Sequence, residues 1–305
     1  MKTLYFECNM GAAGDMVMAA LLELHGNQAD FLHRLNAVGI PGVVVSAEAH
    51  EKCGIVGTRV VVKVNGHEEA SHDHHHAHAQ SHSHDHGHGH AHNHDHDHPH
   101  DHSHDHEHSH GHGHVHDHNH EHSHDHSHGH GDHSHNSYRD IEHRIGHLNI
   151  SDTVKKNALA VYKLIADAES TVHGTTIDQI HFHEVGEMDA LADIVGVCML
   201  MEELSPDVIK ASPINVGSGH VKCSHGILPV PAPAAALILQ GVPIYSDKTK
   251  GELCTPTGAA LIKHFADEFC PLPMMRVSKI GYGMGTKNFE KANCVRTFIG
   301  DGRGE

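Results

Sequence analysis

The feature that most limits what this chain can fold into is the stretch from His72 to His135. Of the 44 histidines in 305 residues, 32 fall in these 64 positions, mostly as an unbroken His-x alternation from His82 to His130. The residues between them are Asp, Ser, Gly, Asn and Glu, and Val115 is almost the sole aliphatic side chain of any size. Such a composition buries too little apolar surface to offset the entropy of ordering, so the tract is predicted to be disordered without metal. It divides the chain into residues 1–66, the first part of an α/β core, a His-rich metal-binding insertion at 67–136, and the second part of the core at 137–305.

Imidazole is the commonest protein ligand for borderline divalent metals, and alternate residues of an extended chain point the same way. His82, His84, His86, His88, His90, His92, His94 and His96 therefore offer overlapping metal sites, with Asp95, Asp97, Asp101 and Asp105 interleaved. Nickel, zinc, copper and cobalt would all bind, so the tract specifies a transition metal without selecting one. A disordered polymer cannot hold one coordination position open, which favours storage or buffering over catalysis. A neutral spacer grown by repeat slippage would leave so many ligands unexplained. A pH-responsive polycation is the other rival, since these imidazoles titrate between about pH 7 and 5 against a formal charge of −18.

About 240 residues remain outside the tract, enough for one large domain or two modest ones. They are rich in Val, Ile, Leu, Ala and Gly and contain no Trp, which suits an α/β fold, a sheet covered by helices, with tight glycine turns. The seven cysteines are scattered without a Cys-x-x-Cys, so neither a disulfide framework nor a zinc ribbon is indicated. The start has no signal-peptide pattern, and the longest apolar stretch, Ile227 to Leu239, is short and carries three prolines. An acidic chain without basic patches argues against nucleic acid. A soluble, cytoplasmic protein, with neither membrane nor nucleic acid as partner and a homo-oligomer in solution, is expected.

In chain order, Leu4 to Phe6 reads as a buried strand, Gly11 and Gly14 as a turn, and Asp15 as N-cap of a helix running to Gly26. A second helix, Ala29 to Ala37, precedes a hairpin of Val43–Ala49 and Val56–Val64. Beyond the tract, Ser137 and Ser151 read as caps of two helices, the second ending at Gly174.

The chemically dense stretch is Ile180 to Asp193. If 180–184 is a strand, His181 and His183 share one face while Phe182 and Glu184 share the other. A helix then starts near Glu187, with Asp189 and Asp193 four apart on one face. Two imidazoles and several carboxylates suit a transition metal, a hard cation holding phosphates, or a carboxylate base. Helix-dipole preference accounts for Glu187 and Asp189 alone, and leaves Asp193 and both histidines unexplained.

Further on, Gly217, Ser218 and Gly219 form a glycine turn, and Cys223 with His225 could bind metal or shuttle a proton, or be merely structural. Thr255 reads as N-cap and Pro256 as N1 of a helix. Thr255, Thr257 and Gly258 there make either a phosphate or carboxylate cradle or a simple cap. Gly281 to Thr286 reads as a flexible turn before a last strand at Val295–Ile299.

Five stretches together resemble the nickel-insertion protein family of nickel-pincer cofactor synthesis, which matures lactate racemase. They are Tyr5-Phe6-Glu7-Cys8 to Gly14-Asp15-Met16; His181-Phe182-His183-Glu184-Val185-Gly186 with Asp189 and Asp193; Cys223-Ser224-His225-Gly226 to Ala234; Gly251 to Ala259; and Gly281-Tyr282-Gly283 with Gly285-Thr286. The resemblance spans nearly everything except the tract. It implies a CTP-dependent nickel-inserting cyclometallase of the lyase class (a nickel chelatase), using CTP with a divalent cation such as magnesium or manganese. Nickel(II) would enter pyridinium-3,5-bisthiocarboxylic acid mononucleotide through two Ni–S bonds and one Ni–C bond. The ring C–H must then lose a proton, so a base is needed beside the metal. On this reading Glu184 and Asp189 are the candidate catalytic groups. His181, His183 and Asp193 handle nickel, and Gly217–Gly219 with Thr255, Thr257 and Gly258 take the substrate phosphate. Family members continue into a C-terminal domain associated with CTP, so a separate or read-through C-terminal polypeptide is an expected partner and lactate racemase the downstream client. The alternative is a nickel-storing metallochaperone in which the tract does everything.

Overall fold

The computed structural model describes residues 1–68, 137–180, 182, 188–223 and 225–302. The histidines assigned to the tract therefore lie outside the described residues, as do His181, His183 and Glu184. The segments on either side of the tract belong to one compact unit.

A buried run of Leu4, Tyr5 and Phe6 forms β1 (Lys2–Glu7), and a turn through Gly11 leads into α1 (Gly14–Leu24). The N-cap is Ala13, not Asp15, which sits in the first helical turn, where its carboxylate accepts the Met16 N–H. After α2 (Gln28–Asn36), capped by Asn27, come β2 (Val43–Lys52) and β3 (Ile55–Val64), an antiparallel hairpin closed by Cys53 and Gly54 at positive φ. A short β4 (His67–Glu68) pairs with β3. Ser137 caps α3 (Tyr138–His147) through a capping box with Asp140, and Ser151 caps α4 (Asp152–His173), which Gly174 ends in the left-handed region.

A 3-10 turn (Ile177–Gln179) follows, and neither Ile180 nor Phe182 lies in a strand; both are buried in the core. Helix α5 (Met188–Leu204) is apolar almost all round, as a helix enclosed between layers must be. Next come β5 (Val208–Ala211), the two-residue β6 (Ile214–Asn215) and β7 (Gly217–Ser218), and the hairpin of β8 (His220–Cys223) and β9 (Gly226–Pro229). The chain finishes with α6 (Pro233–Ile238), β10 (Ile244–Tyr245), β11 (Gly251–Glu252), α7 (Pro256–Phe265), β12 (Glu268–Phe269), β13 (Met275–Met284) and β14 (Cys294–Gly302).

The main sheet is mixed, in the order β12-β5-β1-β14-β13-β3-β2, with β4 on β3. β1 is parallel to β5, and β5 to β12, so their C-terminal ends share one edge, while β1 and β13 both run antiparallel to β14. Helices α1, α2 and α5 pack on the sheet, and α4, α6 and α7 lie behind them.

Gly281 and Gly283 are strand residues of β13, not part of a flexible turn. A Cβ on Gly283 would stand 1.8 Å from the Met16 carbonyl oxygen, and one on Gly281 2.1 Å from that of Ala20. Their glycine is required by the close crossing of α1 over β13, which a local reading takes for a turn signal.

Candidate active site

Three carboxylates meet where the N-termini of α1 and α5 approach each other. Asp15 comes from the first turn of α1, and Asp189 and Asp193 from the first turns of α5. The approach is close, because a Cβ on Gly14 would lie 2.6 Å from Asp193 Oδ2. The Asp193 carboxylate accepts the Asp15 backbone N–H, so one helix start holds the acid of the other. Its second oxygen, Oδ1, is buried and has no hydrogen-bond partner among the described residues.

Tyr162 of α4 lies close enough for its ionisation to be coupled to Asp189 and Asp193. The residue is fully buried and its hydroxyl also lacks a partner among the described residues. Its ring meets Phe182 edge-on at 6.3 Å, and Arg144 of α3 donates to the sulfur of Met188, the first residue of α5.

The electrostatics follow from burial. Loss of solvent pushes the Asp15 carboxyl up to about 6; hydrogen bonding from Met16 and the Arg59 guanidinium pull it down, and Asp189 pushes it up. Burial, then the charges of Asp15 and Asp189, raise Asp193 well above the ordinary carboxylate range. The Tyr162 hydroxyl is raised well above its usual value, first by burial and then by Asp189 and Asp193. Shifted carboxyls, a buried phenol and unsatisfied polar atoms in one place suit proton transfer or the capture of a positive charge.

Three glycine-containing turns are laced together beside α1. Ala12 N–H donates to the Leu253 carbonyl at 3.1 Å, Thr255 N–H to the Ala12 carbonyl at 3.0 Å, and Leu253 N–H to the Val216 carbonyl at 3.3 Å. A Cβ on Gly258 would meet the Ala12 carbonyl oxygen at 2.1 Å, and one on Gly217 the Gly251 carbonyl oxygen at 2.0 Å. Gly217 and Gly219 have positive φ, Ser218 Oγ donates to the Thr249 carbonyl, and the buried Thr257 sits at the start of α7. Thr255 Oγ accepts the Gly258 N–H at 3.1 Å, which is the capping arrangement. The two segments named from sequence as phosphate holders thus adjoin the turn that carries Gly14 and Asp15.

Of the sequence candidates, the structure brings Asp189 and Asp193 together. Asp15 and Tyr162 carry weaker sequence signals: Asp15 stands in a resembling block but reads as a helix cap, and Tyr162 lies one position beyond Val161 on a helix whose apolar periodicity hides a hydroxyl. Among the described residues, no three His, Cys, Asp or Glu side chains are grouped to hold a metal ion, and no helix is long and apolar enough to cross a membrane.

The family described as "Nickel insertion protein" matches residues 4–305. The pyridinium-3,5-bisthiocarboxylic acid mononucleotide nickel insertion protein of Clostridium kluyveri is 35% identical over 304 residues, 99% of this chain and 62% of the relative. The protein of the same name from Desulfitobacterium hafniense is 46% identical over 169 residues, 55% of this chain and 42% of the relative. No solved structure matches the chain. The chain spans 61–62% of the length of the relatives it matches from end to end. It belongs to the nickel insertion protein family.

Proposed function

We propose that this chain inserts nickel(II) into pyridinium-3,5-bisthiocarboxylic acid mononucleotide, making the nickel-pincer cofactor that serves lactate racemase. The observation that carries this reading is the match over 99% of the chain to a relative that bears that substrate in its name. Nickel is the substrate ion, and the two thiocarboxylates supply soft donors that take it readily. As the third bond forms, the electron pair of the ring C–H passes to nickel and its proton passes to a protein base.

Glu184 and Asp189 are the proposed proton acceptors, and Asp189 belongs to the acidic cluster. His181 and His183, which flank Phe182 in sequence, are the proposed nickel-handling imidazoles together with Asp193. A cation brought beside Asp193 would supply the counter-charge that its buried carboxylate lacks. The mononucleotide phosphate is proposed to lie along Gly217, Ser218 and Gly219 and at the start of α7, with Thr255, Thr257 and Gly258. The family resemblance brings CTP, with magnesium or manganese, into the reaction as co-substrate.

The test is to incubate the chain with nickel(II), precursor, CTP and magnesium and to weigh the product. The same mixture is run with the C-terminal portion of a full-length relative. Nickelated product is expected in at least the second mixture, and Glu184→Gln with Asp189→Asn is expected to abolish it. Undiminished product from that double variant removes the assigned base, and no product in either mixture overturns the reading. A second reading, a nickel store without catalysis, is favoured by the 32 histidines of the tract. Deleting residues 72–135 separates the two, since a catalytic core keeps forming product at saturating nickel.

A further inference from the structure

His225, between β8 and β9, lies against His173 at the C-terminal end of α4. There the imidazoles of His173 and His225 stand 4.9 Å apart, centroid to centroid, with their planes tilted by 43°. His173 is the last residue of α4, its Nε2 lies 3.5 Å from Glu169 Oε2 one turn earlier, and its side chain is 33% exposed. His225 is exposed. Two imidazoles so placed at the negative end of a 22-residue helix, backed by a carboxylate, form an electrostatically favourable seat for a cation.

We propose that His173 and His225 form an open site for a borderline divalent metal ion such as nickel(II), with Glu169 orienting the His173 ring. The spacing supports it. A metal–nitrogen bond is about 2.0–2.1 Å and a ring nitrogen lies roughly 1.1 Å from its centroid, so two imidazoles on adjacent positions of one metal stand about 4.5–5.2 Å apart. The observed separation falls within that range. Glu169 occupies the place of the carboxylate that commonly orients a metal-bound histidine and raises its basicity. Two protein ligands are supplied by the described residues, among which no three-residue metal group occurs. The remaining positions are left to water or to an incoming donor, so a bound ion would exchange readily. At 1.5 Å per residue the pair lies about 16 Å along α4 from Tyr162, a location distinct from the acidic cluster. The site adds to the nickel reading of the chain, and its test does not depend on cofactor synthesis.

In the full chain, carbethoxylation of each histidine by diethyl pyrocarbonate is followed peptide by peptide at constant pH. Nickel(II) chloride is titrated beyond saturation of the tract. His173 and His225 are expected to become protected in parallel, at least fivefold, while the exposed His33 on α2 keeps its rate. His225→Ala, a change on an exposed hairpin, is expected to remove the protection of His173. Glu169→Gln is expected to raise the half-saturating nickel concentration about tenfold for both rings. Absence of protection at saturating nickel, or protection of His173 that survives His225→Ala, overturns the proposal. Failure of cofactor synthesis alone bears only on the function proposed above.

Discussion

Replacing Asp15 by Asn turns the electrostatics of the acidic cluster into a measurable stability. The Asp15 carboxyl is pushed from 3.8 to about 6, chiefly by burial. A carboxyl whose affinity for a proton is higher in the folded chain than in the unfolded one destabilises the fold as pH rises. The loss begins near the unfolded value, is complete above about pH 6, and is absent below about pH 4. A shift of about 2 units at 1.36 kcal/mol per unit gives at most about 3 kcal/mol. Asparagine keeps an acceptor for the Met16 N–H and cannot ionise. At pH 7.5 in metal-free buffer with chelator, Asp15→Asn is therefore expected to be more stable than the parent by up to about 3 kcal/mol. For a domain of this size that corresponds to about 6–12 °C in Tm. At pH 4 the two proteins should coincide. Urea and thermal unfolding at pH 4, 6 and 7.5 measure the difference, and the tract's titration cancels because both proteins carry it. A gap that does not change with pH, or an Asn variant weaker than the parent at pH 7.5, would refute the reasoning. The sequence keeps a destabilising charge in a closed place, as functional sites do.

Gly283→Ala would drive a methyl group into the Met16 carbonyl, and β13 is paired on both sides by β14 and β3. A loss of about 1–3 kcal/mol or more is expected from the urea midpoint, and a change below about 0.5 kcal/mol would contradict the close crossing. Lys52 is 7% exposed, and its Nζ donates to the Thr286 and Lys287 carbonyls and to Asn288 Oδ1 at 3.3, 3.0 and 2.6 Å. Lys52→Met should cost about 1.5–3 kcal/mol and speed proteolysis within residues 286–293; an unchanged cleavage pattern would show that the amine does not hold that loop.

Much of the fold was legible because it rests on local chemistry. Ser137, Ser151 and Thr255 each satisfy an orphan N–H at a helix start, and a side-chain oxygen followed by an apolar periodic run announces that without reference to the rest of the chain. The β2–β3 hairpin followed in the same way from β-branched residues around a turn. Glycine misled at Gly281 and Gly283, because its two uses, a turn and a close backbone approach, leave the same letter in a sequence.

By itself the sequence determined many of the local elements and the family. Only the tertiary structure decided that Asp15 faces Asp193, that Tyr162 of α4 lies near Asp189 and Asp193, and that His225 reaches His173. These pairs come from separate helices and from a hairpin distant in the chain. Their proximity is set by how α1, α4 and α5 stack on the sheet and by where β8 and β9 fold back. Periodicity reports which face of one element is buried, and carries no information about which face of another it meets.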